Sequence, residues 1–262
     1  MGRQRVELGR VQETLLIPLR ARAAETARKR PLTRDPKAVE LVEALDHDFS
    51  GIGGGASHLG AVLRGVILDA WVREFLDAHP AGSVVELGAG LGTRYERLDN
   101  GTATWVEVDL PDVIALRREL LEESGRRRMV PGSVTEPGWT AAVEAAPGPY
   151  LFVSEAVLVY LTEEEVRTAI GLITTHFPGS VLLMDTVSAA VAHRERTVNV
   201  GWSCDDPREL ADWGLRLRDS RALWELPPED RPRLTPGRRV LTALLNRLAG
   251  SGGSRFSRFD VG

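Results

Sequence analysis

The chain has 262 residues, 43% of them hydrophobic, enough for one large domain, or one domain with a cap, around a sizeable core. A net charge of −4 argues against a general nucleic-acid or membrane-surface role, and no run of about 18 apolar residues offers a bilayer span. One cysteine, Cys204, excludes an internal disulfide and a cysteine-based metal cluster, and no metal is expected.

Residues 1–10 are polar and expected to fray; they lack the apolar core of a signal peptide, so a cytoplasmic protein is expected. From Val11 to about Lys29, Leu15, Leu16, Leu19 and Ala23 recur at a helical period, and Pro31 stops the run. A second helix is expected from Pro36 to Leu45, with Asp35 as N-cap and Pro36 in the first turn. The glycine-rich 50–57 stretch has no Gly-Lys-Ser/Thr closing it, so it reads as a connector or a lid hinge, not a phosphate loop. Leu59 to about Ala78 is amphipathic. Arg64 shares its apolar stripe with Leu68, Trp71 and Phe75, either as a snorkelling rim residue or as a partner of a buried carboxylate.

Ser83 to Leu87 reads as a buried strand running into Gly88, Gly90 and Gly92, where the backbone can turn sharply and approach a ligand. The spacing is Glu86-x-Gly88-x-Gly90-x-Gly92, not the G-x-G-x-x-G of dinucleotide folds. Trp105 to Asp109 is a second strand. Asp109 stands about 20 residues beyond the glycines, where nucleotide-binding α/β folds place the acid that takes ribose hydroxyls. Glu107, on the same strand face, is the fallback. Arg126 to Arg128 reads as a solvated charge run before a third strand at Met129-Val130, and Trp139 to Ala146 as a short helix.

Leu151 to Leu161 reads as a fourth, apolar strand interrupted by Glu155. A carboxylate there costs several kcal/mol unless paired or hydrogen-bonded. It is either a strand-end acid held by backbone amides or a site residue at the carboxyl end of the sheet. Thr162 caps a helix opening Glu163-Glu164-Glu165. Ser180 to Asp185 is a fifth strand. Residues 187–206, with His193, Asn199 and Trp202, look like an excursion. A helix from Asp206-Pro207, a sixth strand over Leu215–Leu223, a proline-rich loop, a helix over Arg238–Leu248, a glycine linker at 250–253 and a strand over Arg255–Val261 complete the chain. Strand–helix alternation predicts an α/β, doubly wound Rossmann-like sheet of seven strands, the last antiparallel. Residues 1–80 are expected to form an N-terminal helical cap, and 81–262 the core, with a cap insertion near 187–206.

Three motifs carry a resemblance: Glu86-Leu87-Gly88-Ala89-Gly90-Leu91-Gly92-Thr93-Arg94, Glu107-Val108-Asp109-Leu110-Pro111 and Ser154-Glu155-Ala156-Val157-Leu158-Val159-Tyr160-Leu161. Together they resemble the leucine carboxyl methyltransferase superfamily, in the bacterial polyketide O-methyltransferase branch of the tetracenomycin carboxyl methyltransferase type. Glu13-Thr14-Leu15, Arg22-Ala23 and Asp35-Pro36-Lys37-Ala38 fit that branch as well. The resemblance covers about residues 12–215 and implies S-adenosylmethionine (SAM) as cofactor and methyl transfer as activity. It implies that Arg64 holds the methionine carboxylate, that Gly88 and Gly90 underlie the cofactor and that Asp109 takes the ribose. Ser133 and Val134 would meet the adenine, and Glu155 would line the cofactor site. Gly92 departs from the family, where many members carry Asp, so a side-chain contact near the methionine end is in doubt.

Transfer from a sulfonium methyl chiefly needs alignment and exclusion of water. A carboxylate acceptor is ionised at neutral pH, whereas a phenol, with a pKa of about 10, benefits from a base. His47, His58, His79, His176 and His193 are the base candidates, and none falls in a diagnostic motif. That favours carboxyl methylation of a polyketide-like small molecule in secondary metabolism. Tyr160 and Trp202 are candidates for the acceptor pocket, with core packing as the alternative. A phenolic acceptor, a protein C-terminus and a non-catalytic SAM-binding role stay open, and a nucleotide-dependent dehydrogenase is disfavoured by the glycine spacing. No nucleic-acid or membrane partner is expected, and a homodimer is allowed.

Overall fold

The computed structural model describes residues 10–49, 54–194, 200–226, 230–249 and 253–262. The expectations for residues 1–9, for the glycines at 51 and 53, for Asn199 and for most of the 250–253 linker lie outside these ranges. The N-terminal third is helical: α1 Arg10–Thr26, α2 Pro36–Ala44 and α3 Gly55–Ala78. The rest alternates: β1 Ser83–Leu87, α4 Arg94–Leu98, β2 Thr104–Asp109, α5 Pro111–Leu120, β3 Arg127–Pro131, α6 Thr140–Glu144, β4 Tyr150–Ser154, α7 Glu163–His176 and β5 Val181–Thr186. It ends with α8 Ala189–Arg194, β6 Leu215–Ala222, α9 Pro236–Ala249 and β7 Arg255–Val261.

The strands form one seven-stranded sheet in the order β3-β2-β1-β4-β5-β7-β6. The first five pair in parallel, and β7 runs antiparallel to both β5 and β6. This is the doubly wound sheet with an antiparallel last strand that the alternation predicts. Order reverses at β1, which has β2 on one side and β4 on the other. Its carboxyl end is therefore the crevice in which open α/β sheets bind ligands.

Period-two alternation gives each strand two apolar faces. One packs Val84, Trp105, Leu151, Val153 and Leu183 against Ile67, Trp71 and Phe75 of α3. The other packs Val85, Val106, Phe152 and Met184 against Val166, Ile170 and Ile173 of α7. Local signals fix the helix starts. Asp35 caps α2 by accepting from the Ala38 amide at 2.9 Å, and Thr162 and Glu165 form a capping box on α7.

Two elements depart from expectation. The fourth strand ends at Ser154, not at Leu161: Ala156 turns at φ 54° and Leu158–Tyr160 is a 3-10 turn. The strand stops because Glu155 is drawn to two arginines and the Ala156 amide donates to Asp185 Oδ1 at 2.7 Å. Arg127, read as part of a solvated run, is 2% exposed. It opens β3, pairs with both oxygens of Glu107 and lies over the Tyr95 ring at 4.5 Å.

Candidate functional site

The glycine loop leaves β1 with Gly88 at φ 72° and Gly90 at φ 51°, conformations that L side chains rarely adopt. A Cβ on Gly88 would lie 2.2 Å from Val157 Cγ2, and one on Gly90 would lie 3.0 Å from Leu15 Cδ2 of α1. The loop is thus approached closely from the segment after β4 and from the N-terminal helices. From below, Arg117 of α5, fully buried, donates through Nη1 to the carbonyls of Ala89, Gly90 and Gly92 at 3.3, 2.6 and 3.1 Å.

Asp109 ends β2 beside this loop. Its Oδ2 accepts from the Gly90 amide at 2.6 Å and its Oδ1 from the Leu110 amide at 2.7 Å. Burial raises its carboxyl above the ordinary value, with the two amide bonds opposing. The structure therefore brings the loop and Asp109 together. The Gly132 amide donates to the Asp109 carbonyl at 2.8 Å, which sets Ser133 and Val134 next to it. Ser133 Oγ lies 2.8 Å from Thr135 Oγ1, and Val134 is buried.

Glu107 is not available as a fallback. It is fully buried and paired with Arg117 at 2.6 Å and Arg127 at 2.9 Å. Those two cations outweigh burial and hold its carboxyl below the usual range. It steadies the arginine under the loop and faces no ligand.

Arg64 and Glu155, 91 positions apart, meet: Arg64 Nε donates to Glu155 Oε1 at 2.7 Å. The other oxygen of Glu155 accepts from Arg94 Nη2 at 2.5 Å. Arg94, 5% exposed, also binds Asp69 at 2.8 Å and Glu86. Asp69 continues to Arg97 at 3.0 Å, Arg97 to Asp35 at 3.0 Å, and Asp35 to Arg22 at 2.8 Å. Arg22 donates to the Leu91 carbonyl at 2.9 Å, and Thr93 Oγ1 to Asp35 Oδ2 at 2.5 Å. A chain of alternating charges thus runs from α1 and α2, through α3 and α4, to the end of β4. Burial works against the Glu155 charge, but Arg64, Arg94 and Arg22 prevail and hold its carboxyl far below the usual range.

Gly92 fits this arrangement. A Cβ there would meet the Ala89 carbonyl oxygen at 2.8 Å and Glu86 Oε2 at 3.6 Å. That Glu86 oxygen is already buried without a hydrogen-bond partner. An aspartate at 92 would bring another carboxylate beside it and force the loop open.

The acceptor candidates separate. Tyr160, 43% exposed, ends the 3-10 turn after β4. Trp202, 6% exposed, belongs to the core under α7, its ring 5.9 Å from that of Trp213. His193 is exposed on α8. His79 packs on Phe75, and His176 Nδ1 lies 2.8 Å from Glu144. Sequence reasoning missed Asp185, which ends β5 buried beside Glu155 and Arg64. Burial pushes its carboxyl up to about 6. Its signal was a lone acid closing the apolar run Val181 to Met184. Arg94, Arg117, Asp69 and Glu86 were missed because each lies in a helix or strand where an isolated charge has many solvated explanations.

Two cavities measure about 260 and 540 Å³. The first lies between α3 and Arg97, and the second lies against Trp224 and α9. Neither is lined by the glycine loop or Asp109. Among the described residues no helix is long and apolar enough to cross a membrane, and no cluster of His, Cys, Asp or Glu could hold a metal ion.

Residues 16–174 match the family described as leucine carboxyl methyltransferase. The tetracenomycin polyketide synthesis O-methyltransferase TcmP of Streptomyces glaucescens is 33% identical over 234 residues, spanning 85% of this chain and 86% of that one. The S-adenosyl-L-methionine-dependent methyltransferase dpfgK of Gibberella zeae is 27% identical over 252 residues, spanning 84% of each. In fold, the chain is similar to the magnesium protoporphyrin IX methyltransferase ChlM of Synechocystis PCC 6803, solved with bound S-adenosylhomocysteine. The TM-score is 0.50 at 12% identity, covering 81% of this chain and 90% of that one.

Proposed function

The chain belongs to the leucine carboxyl methyltransferase family and is a SAM-dependent methyltransferase, and we propose that it methylates an oxygen, a carboxylate first, of a polyketide-like small molecule. The observation that carries the site is the meeting of Asp109 with the glycine loop at the sheet's order reversal, with Arg64 across the crevice. The residues fit the cofactor. Gly88 and Gly90 take the left-handed turn that L side chains rarely adopt, and Asp109 beside it offers carboxylate lone pairs to a ribose diol. Arg64 spends its Nε on Glu155, and its terminal nitrogens have no hydrogen-bond partner among the described residues. They are free to take a carboxylate in a bidentate pair. Ser133 and Val134 flank the adenine end.

Bound SAM supplies an activated sulfonium methyl. The protein's part is to orient the acceptor in line with it and to exclude water. Residues 1–80 act as a cap: Leu15 overhangs Gly90, and Arg22 and Asp35 grip the loop. Tyr160, exposed just beyond Glu155, is the residue to contact the acceptor. A carboxylate acceptor needs no base, and none of His47, His79, His176 and His193 has a described contact with the loop or with Asp109. A phenolic acceptor is the second reading. Asp185 favours it, as a buried carboxylate beside Glu155 with a pKa near that of an effective base. The relative TcmP, a polyketide O-methyltransferase by name, supports the substrate class.

The test is to incubate the protein with methyl-labelled SAM and a panel of aromatic polyketide acids and phenols. Product label released by mild alkali marks an ester, and stable label marks an ether. Transfer to no oxygen acceptor, with cofactor bound, contradicts the proposal.

A further inference from the structure

Arg94 is buried among three carboxylates. Its Nε donates to Asp69 of α3, its Nη1 to Glu86 of β1, and its Nη2 to Glu155 after β4. Glu155 has one oxygen on Arg94 and the other on Arg64. A carboxylate held at both oxygens cannot swing, so it presents a fixed edge to Arg64 Nε. Pinned at Nε by that edge, Arg64 keeps its terminal nitrogens unpaired among the described residues. We propose that Arg94 is a positioning residue for the amino-acid end of the cofactor, acting through Glu155 to aim Arg64 at the methionine carboxylate. This rests on the function proposed above and extends it to a residue that meets no part of the ligand.

The charge count explains why an arginine stands there. Asp69 keeps Arg97 at 3.0 Å if Arg94 is removed, and Glu155 keeps Arg64. Glu86 loses its one described ion-pair partner and keeps Arg117 only at longer range. Its second oxygen is already buried without a hydrogen-bond partner beneath Gly92. With one oxygen released, Glu155 can turn, and Arg64 loses the fixed edge that aims it. A lysine has one point charge and no planar fork, so it serves one or two of the three carboxylates.

The role is read by comparing two ligands on one protein. S-adenosylhomocysteine carries the amino-acid end, whereas methylthioadenosine keeps the adenosine and thioether and lacks it. Calorimetric titration of both onto wild type, Arg94→Met, Arg94→Lys and the double variant Glu86→Gln/Arg94→Met gives four affinity ratios. Wild type is expected to prefer S-adenosylhomocysteine. Arg94→Met is expected to lose about tenfold or more for it, with methylthioadenosine affinity held within about twofold. Arg94→Lys should fall between. The double variant removes the surplus carboxylate and keeps the comparison open where Arg94→Met folds poorly. Equal losses for both ligands make Arg94 a residue of the fold alone and overturn the proposal, as do unchanged affinities. A wild type that binds neither ligand overturns the proposed function, and this role with it.

Discussion

Asp185 sits at the end of β5 with three groups facing it: the Ala156 amide on Oδ1, the Arg64 guanidinium from α3, and the Glu155 carboxylate beyond β4. Burial dominates and pushes its carboxyl from the ordinary 3.8 up to about 6. A raised acid binds its proton more tightly when folded. Its contribution is therefore fully present below pH 3.8 and is lost as pH rises through about 6. The cost of the ionised form is on the order of 2–3 kcal/mol. Asp185→Asn keeps an oxygen for the Ala156 amide and removes the buried charge. It should melt several degrees above wild type at pH 8 and level with it near pH 4 in parallel thermal scans. Equal melting at both pH values would show that the charge is not held at a cost. Neighbouring residues show what the sequence conceals at this scale. The place of Asp109 beside the glycine loop was legible because strand, acid and glycine spacing agree. Glu107, two positions earlier on the same face, looked equivalent, and only the burial of Arg117 and Arg127 separates their roles.

The connection from α1 to α2 is the element that ties the N-terminal helices to the glycine loop and α4. Asp35 caps α2 through the Ala38 amide and at the same time holds Arg22, Arg97 and Thr93. Asp35→Ala removes the cap, leaves the buried Arg22 guanidinium without a carboxylate and takes one of two carboxylates from Arg97. The cost should be about 3–5 kcal/mol by chemical denaturation. A loss under about 1 kcal/mol, the size of a cap alone, would mean that the charge chain does not carry the cap. The cap role of Asp35 was readable, since N-capping is local in sequence. Its second role was not, because Arg97 lies 62 positions away and Thr93 lies 58 away. The same limit explains β4. An apolar run of that length allows a long strand, and what ends it at Ser154 is a pair of arginines from α3 and α4.

Across the whole molecule, acids recur at the carboxyl ends of neighbouring parallel strands. Glu107, Glu86 and Asp185 share the α3-facing side of the sheet with Trp105, Val84 and Leu183, and Glu155 follows the end of β4. Arginines from helices on that side pair with three of them: Arg64 with Glu155, Arg94 with Glu86 and Arg117 with Glu107. A molecule that concentrates charge at one edge of its sheet, below a glycine turn, is organised around a polar, zwitterionic ligand. The doubly wound sheet and its antiparallel last strand followed from the alternation of elements, whereas the charge lattice exists only once the strands stand side by side. Calorimetric titration of SAM onto wild type and Asp109→Ala tests the site most directly, with matched melting curves as the check on folding. Loss of the ribose acceptor should weaken binding by at least about 30-fold. Unchanged affinity in a folded Asp109→Ala would place the cofactor elsewhere and contradict the site.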